Sequence, residues 1–184
     1  MKTTIPENIQ QLALDSYLVA RQNIPENVPV TVLHIDEEYS CVAQGVSAVK
    51  PDNLWVFDIG TERTARDFFK HNPPTPGEVE DAIQVVEDEV MPLHKLLVPH
   101  SNLFTLDESI REIAALAVFK EYVPGMILAR TDMERTFNRL AAIISGRPAS
   151  QDVLPAANTF ASTILILREV MHHLGFPDIT LLSR

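Results

Sequence analysis

Three short apolar runs follow one another near the start of the chain, and they constrain its fold more than any other feature. They cover residues 30–35, 39–43 and 54–57, and β-branched and aromatic side chains are frequent in them. Short turns between neighbouring runs are typical of an antiparallel meander. Two later runs, residues 102–105 and 179–182, each follow helical segments, as the strands of parallel crossovers do. The sequence therefore predicts an α/β fold with a mixed sheet of five strands.

Helical spacing of apolar residues predicts helices around this sheet. A helix over residues 7–21, followed by a connector, makes up an N-terminal region of residues 1–28. The sheet region then covers residues 29–184. Three antiparallel strands followed by two parallel crossovers, with helices on both faces, predict a single ribonuclease H-like lobe.

Capping patterns predict where several helices begin. Thr75 is expected to cap a helix in which Glu78 completes a capping box, and residues 131–134 show the same pattern. Asp107 is expected to cap the helix after the fourth strand. The last helix is expected to begin at about Asp152. Its apolar residues alternate by four and three, a heptad seam that either faces the sheet or extends to a partner: Val153, Ala157, Phe160, Ile164, Leu167, Met171 and Leu174.

Composition excludes several classes of function. The 184 residues carry a formal net charge of −10, and their basic residues are scattered singly. Binding to nucleic acid or to an anionic membrane needs clustered Lys and Arg, so neither partner is expected.

Residues 1–6 lack the apolar run of a signal peptide, and we expect a cytoplasmic protein. Cys41 is the only cysteine, which predicts a buried structural thiol.

The turn between the first two strands is acidic. It reads Asp36-Glu37-Glu38 and contains no glycine. A phosphate-binding turn brings backbone N–H groups together through positive φ angles, which glycine adopts readily. A carboxylate about 6 Å from a phosphate charge also costs about 3 kcal/mol at an effective dielectric near 20. The sequence therefore predicts that this turn does not bind phosphate.

Local sequence and element order together resemble the second lobe of the exopolyphosphatase and guanosine pentaphosphate phosphatase family, of the actin and hexokinase superfamily. Residues 34–42 stand where the family has its loop Asp-Ile-Gly-Gly-Gly-Ser-Thr-Glu, and residues 104–109 stand where it has Gly-Thr-Gly-Gly-Thr. Residues 58–78 are similar to the segment that follows the first loop, and residues 152–176 are similar to the last helix and strand. The resemblance implies two phosphate loops at these positions.

Both loops of this chain depart from the family pattern because their glycines are absent. The family's first lobe, which supplies the general-base glutamate, has no counterpart in the 28 residues before the sheet region, so no catalytic residue is carried over. The resemblance leaves a set of candidate ligand-binding residues in the two degenerate loops: His34, Asp36, Glu37, Glu38, Ser40, Thr105, Asp107 and Ser109.

Metal binding at the first turn is an alternative, since imidazole and carboxylates are suitable ligands. We favour a solvated acidic turn, and no metal or cofactor is expected.

Other polar side chains have simple structural interpretations. His172 and His173 are adjacent, so their side chains point about 100° apart on a helix. Residues 87–89 are expected to form the solvated face of their helix. Arg63 and Arg66 are expected to pair with acids such as Glu62 or Asp67.

Two functions remain open from the sequence. The first is a non-catalytic relative of the exopolyphosphatases, a pseudoenzyme that acts as a homodimeric binding or regulatory module. The alternative is a phosphoanhydride hydrolase, acting on polyphosphate or guanosine pentaphosphate, with a rebuilt metal-dependent site in which Glu37 or Glu38 is the base.

Overall fold

The computed structural model describes residues 6–22 and 24–183, which form six strands, six α-helices and two 3₁₀ helices. The strands are β1 (Val30–Ile35), β2 (Ser40–Gly45), β3 (Asn53–Phe57), β4 (Asn102–Thr105), β5 (Met126–Ala129) and β6 (Asp178–Leu181). The α-helices are α1 (Glu7–Arg21), α2 (Thr61–Phe68), α3 (Pro76–Val90), α4 (Glu108–Val118), α5 (Arg130–Ile144) and α6 (Asn158–His173). The 3₁₀ helices are Met91–Lys95 and Ala149–Gln151.

The strands form one mixed sheet in the order β3-β2-β1-β4-β6-β5. β1, β2 and β3 are an antiparallel meander, and β4 and β6 continue the sheet in parallel with β1. The predicted α/β class and order of these five strands are confirmed, but the number of strands was wrong. β5 adds a sixth strand, antiparallel to β6. It has four residues, only one of them β-branched, and it forms the sheet edge, where Ile127 is 58% exposed.

The two faces of the sheet pack against different helices. Because side chains alternate along a strand, Val30 and Val32 of β1 face α1, where Tyr17 and Ala20 cover them. Leu33 and Ile35 point to the opposite face and join the main core. Helix α1 therefore closes one side of the sheet, and helices α2 to α6 close the other.

Helix α6 is the centre of this second layer. It contacts α2, α3, α4 and α5, and its residues from Phe160 to Leu167 are all buried. Five of the seven residues of the predicted seam are buried in the main core, as its core-facing alternative expected, and burial in this part of α6 extends around the whole circumference. The predicted start at Asp152 was wrong, because α6 begins at Asn158 and Val153 is 66% exposed. Asp152 instead pairs with Arg139 and Arg147 at 2.5 Å. Within the described ranges, no helix has the length and apolar character needed to cross a bilayer.

The two predicted capping boxes have different outcomes. The box of Thr75 and Glu78 at the start of α3 is confirmed, with reciprocal hydrogen bonds of 3.3 and 2.8 Å. The box at residues 131–134 was wrong, because α5 begins at Arg130. The chain enters this helix directly from β5, and the Arg130 N–H donates to the carbonyl of Pro177.

Candidate functional site

The candidate site lies where the parallel neighbours β1 and β4 end. The carboxyl ends of strands are the usual ligand-binding edge of an α/β sheet. β1 continues into the turn at residues 36–39, and β4 continues into the loop that enters α4. Two cavities, of about 590 and 420 Å³, open at this edge, and Ile35 and Ser109 line both. The candidate site is therefore a cleft with two compartments.

The turn at residues 36–39 closes the hairpin of β1 and β2. The Asp36 N–H donates to the carbonyl of Tyr39 at 2.8 Å. Among the described residues other than glycine, positive φ occurs at Asn27, His100 and Phe119, and at none of the four turn residues. The turn therefore lacks the left-handed positions through which glycine-rich loops direct several N–H groups at one anion.

Main-chain carbonyls of the same turn bind the first turn of α2. The Thr61 N–H donates to the Asp36 carbonyl at 2.9 Å, and the Glu62 and Arg63 N–H groups donate to the Glu37 carbonyl at 2.9 and 3.0 Å. The first N–H groups of a helix have no partner within the helix, and they are the groups that commonly hold an anion. Here the protein's own carbonyl oxygens satisfy them.

Gly60 allows this close approach of the two segments. A Cβ at residue 60 would lie 2.4 Å from the Glu37 carbonyl oxygen and 2.5 Å from the Glu38 carbonyl carbon. The φ of Gly60 is −149°, so its backbone is extended and open to any residue. Glycine is required for space and not for an unusual turn.

Arginines of α2 neutralise part of the acidic turn. Arg66 forms hydrogen bonds of 2.7 and 3.2 Å with the two carboxylate oxygens of Glu38, and these bonds lower the pKa of Glu38. Arg63 pairs with Asp58 at 2.9 Å and lies 3.9 Å from Asp67. The predicted pairing of these arginines with nearby acids is therefore observed, although Asp58 and Glu38 are the main partners.

The smaller cavity is acidic. Its lining includes the carboxylate residues Asp36, Glu37, Glu62 and Glu112, and none of its described lining residues is Lys, Arg or His. Negative groups on several sides raise the cost of bringing an anion into this compartment.

Asp107 connects the two strands at the larger cavity. Its Oδ1 lies 2.6 Å from His34 Nδ1, and its Oδ2 accepts the Ile35 N–H at 2.8 Å. Asp107 is the N-cap residue of α4, as predicted, but its side chain makes no capping hydrogen bond, because β1 engages both oxygens. A carboxylate thus occupies the position at which an imidazole and a main-chain N–H could hold a bound anion.

The other predicted site residues divide into two groups. Ser109 lines both cavities, whereas Ser40 and Thr105 are 1% and 0% exposed within the sheet. Thr105 Oγ1 accepts the Asp107 N–H at 3.1 Å, so Thr105 supports the loop from beneath. Cys41 is buried as predicted, and burial raises its pKa to about 12.

The first turn does not gather a set of metal ligands. In the described parts of the chain, the one group of three His, Cys, Asp or Glu residues with converging ligand atoms is Glu87, Glu169 and His173. These residues lie on α3 and α6, away from the turn.

Several residues that line the larger cavity were not predicted from the sequence, and three of them form its walls. Leu12 and Ser16 of α1 form one wall, and Arg111 of α4 forms another. Arg111 donates to the carbonyls of Leu106 and Leu182 at 2.9 and 2.7 Å. Its position one helical turn after Asp107 was a usable signal, whereas no local pattern shows where α1 packs.

Comparison with known proteins supports the fold. No family model matches the chain, and no curated protein matches it. The crystal structure of a Ppx/GppA phosphatase from Aquifex aeolicus, the type II variant, is similar with a TM-score of 0.77 and 20% identity, over 95% of this chain and 59% of that one. The crystal structure of an exopolyphosphatase from Cytophaga hutchinsonii is similar with a TM-score of 0.70 and 14% identity, over 91% of this chain and 57% of that one.

An exopolyphosphatase-like protein is also similar, with a TM-score of 0.76 and 13% identity, over 97% of this chain and 63% of that one. The chain therefore spans about three-fifths of the length of these structures. It has the fold of one lobe of the Ppx/GppA exopolyphosphatases, as the sequence resemblance implied.

Gly60→Ala tests the contact between the turn and α2. The added methyl group has to displace backbone atoms, so we expect the free energy of unfolding to fall by about 1–3 kcal/mol. Gly77→Ala is the matched control, because a Cβ at that helical position meets no atom within 4 Å; it should stabilise by up to about 1 kcal/mol. Urea unfolding measures both, and equal stability of the two variants would contradict the role given to Gly60.

Proposed function

We propose that this chain is an exopolyphosphatase-type lobe that acts as a non-catalytic binding or regulatory module. One observation carries the proposal: the N–H groups at the start of α2 are bound by the carbonyls of Asp36 and Glu37. A phosphate entering this turn would have to break those hydrogen bonds, each of which contributes about 1 kcal/mol net.

Charge supports the same conclusion. The turn and the smaller cavity present Asp36, Glu37, Glu62 and Glu112, and the nearby Arg66 is already paired with Glu38. Each carboxylate within about 6 Å of a phosphate charge adds about 3 kcal/mol of repulsion at an effective dielectric near 20. A polyanionic substrate such as polyphosphate is therefore poorly suited to this compartment.

A catalytic function is the second candidate, and one observation favours it. His34 lines the larger cavity with its Nδ1 2.6 Å from Asp107, and a carboxylate that orients an imidazole is a common arrangement for a general base. In this alternative the chain hydrolyses a phosphoanhydride with His34 as the base, in place of the glutamates expected from the sequence.

Phosphate release distinguishes the two candidates. The purified chain is incubated with polyphosphate or guanosine pentaphosphate, with and without Mg²⁺, and inorganic phosphate is measured. We expect release no faster than the rate without protein, because the N–H groups that would bind the substrate are occupied.

Phosphate release by folded site variants is compared with release by a surface control. His34→Gln and Asp36→Ala should give the same background rate as the unchanged chain, and Val49→Ser, an exposed site beyond β2, serves as the surface control. Turnover that falls at least tenfold in either site variant and persists in the control would establish the hydrolase instead.

Self-association is the second part of the proposal. Phe119 and Val153 are 72% and 66% exposed and line one surface cleft of about 370 Å³. At the sheet edge, β5 exposes a further apolar side chain, Ile127. Apolar side chains beside an open strand edge favour pairing with another chain, and a two-fold dimer is the commonest outcome.

Sedimentation velocity tests the dimer. We expect a species of twice the 20.6 kDa chain mass, and we expect Ile127→Lys with Phe119→Asn to shift it toward the monomer. Asn suits the positive φ of residue 119, which limits the effect on folding. Val49→Ser, beyond the opposite side of the sheet, should leave the dimer intact. A monomer at all concentrations would refute self-association.

A further inference from the structure

A buried carboxylate lies between α3 and α6, away from the cleft. Glu169 and His173 are four residues apart on α6 and therefore share one face. Glu87 of α3 faces them: His173 Nε2 is 3.1 Å from Glu87 Oε1 and 3.2 Å from Glu169 Oε2. The sequence placed Glu87 on a solvated face, yet its carboxylate meets the buried one at the contact between the two helices.

Glu169 has an incomplete set of partners. Its side chain is 1% exposed, and a buried carboxylate is costly unless it is paired and hydrogen-bonded. Oε1 contacts the neighbouring Arg168, but Oε2 accepts no hydrogen bond. The hydrogen bond of His173 Nε2 goes to Glu87. A single imidazole nitrogen thus stands between two carboxylates and can donate one proton to only one of them.

The carboxylates of Glu87 and Glu169 both lie beside His173 Nε2. Two carboxylates that face each other in a partly desolvated position favour a cation between them.

We propose that Glu87, Glu169 and His173 bind a divalent first-row metal ion, with Zn²⁺ as the best match. The three ligand atoms all lie within 4.8 Å of one another. Ligands about 2.1 Å from a tetrahedral Zn²⁺ are roughly 3.4 Å apart, close to the two distances measured from His173. A mixed imidazole and carboxylate set also suits zinc better than Mg²⁺ or Ca²⁺.

The surroundings fit such a site. The side chains of Glu87 and His173 are 30% and 19% exposed, which provides a path for the ion and leaves the fourth position to water. Arg168 holds the remaining oxygen of Glu169 and orients the carboxylate. Bound zinc would link α3 to α6, the central helix of the core, so the site is structural and independent of the cleft.

Calorimetric titration of the tag-free, chelator-treated chain with ZnCl₂ tests the proposal. We expect one Zn²⁺ per chain, with an increase in Tm on binding, because a ligand of the folded state stabilises it. Co²⁺ in place of Zn²⁺ should give the visible absorption bands of a four-coordinate site.

The decisive variants are Glu87→Gln and His173→Gln, because both residues are partly exposed. Each should weaken zinc binding at least about tenfold and remove the increase in Tm. Glu89→Gln and His172→Gln are matched controls from the same two helices, and both should bind like the unchanged chain. Absence of stoichiometric binding, or equal binding in the decisive and control variants, overturns the proposal.

Discussion

The contact of the acidic turn with the start of α2 is the interaction on which the arrangement of the cleft depends. Three helix N–H groups bind two carbonyls of the turn, and Gly60 allows the segments to approach to this distance. Because helix N-termini attract anions through exposed N–H groups, occupying them with main-chain oxygens removes an anion site without disturbing the fold. The acidic side chains add repulsion to a position that the backbone has already filled.

In the loop between β4 and α4, a side-chain oxygen takes the part that main-chain oxygens take in the acidic turn. The Asp107 carboxylate binds His34 and the Ile35 N–H, and so joins the ends of β1 and β4. These two bonds tie the loop between β4 and α4 to the end of β1, at the edge where the cavities open. Helix α1 then covers the other face of the sheet and contributes Leu12 and Ser16 to the larger cavity. The cleft is thus shaped by internal contacts that occupy its polar groups.

Much of the fold could be predicted because its signals are local. The β-branched apolar run of β1 and the cap at Thr75 depend on residues close in sequence. β5 was missed because an edge strand of four residues is stabilised mainly by its neighbour β6. The start of α6 was misplaced because Asp is a residue type that commonly caps helices, yet Asp152 pairs with two arginines 13 and 5 residues earlier in the chain. Tertiary contacts decided both cases.

The site was predictable in composition but not in contacts. An acidic turn without glycine could be recognised, whereas the hydrogen bonds of its carbonyls are independent of side-chain identity. Gly60, shortly after β3, was the available signal, but a glycine alone does not show that its missing side chain leaves space for Glu37. The pairing of Glu87 with His173 joins residues 86 positions apart, and no spacing rule shows it.

Amide chemical shifts of the ¹⁵N-labelled chain, followed during titration with pyrophosphate, test most directly whether the N–H groups at this edge of the sheet are closed to anions. The N–H groups to follow are those of Ile35, Thr61, Glu62 and Arg63. If protein oxygens hold them, their resonances should shift no more than those of distant amides such as Gly125. Saturable shifts confined to these four N–H groups would show that an anion binds there, and would contradict the account in which protein oxygens occupy them.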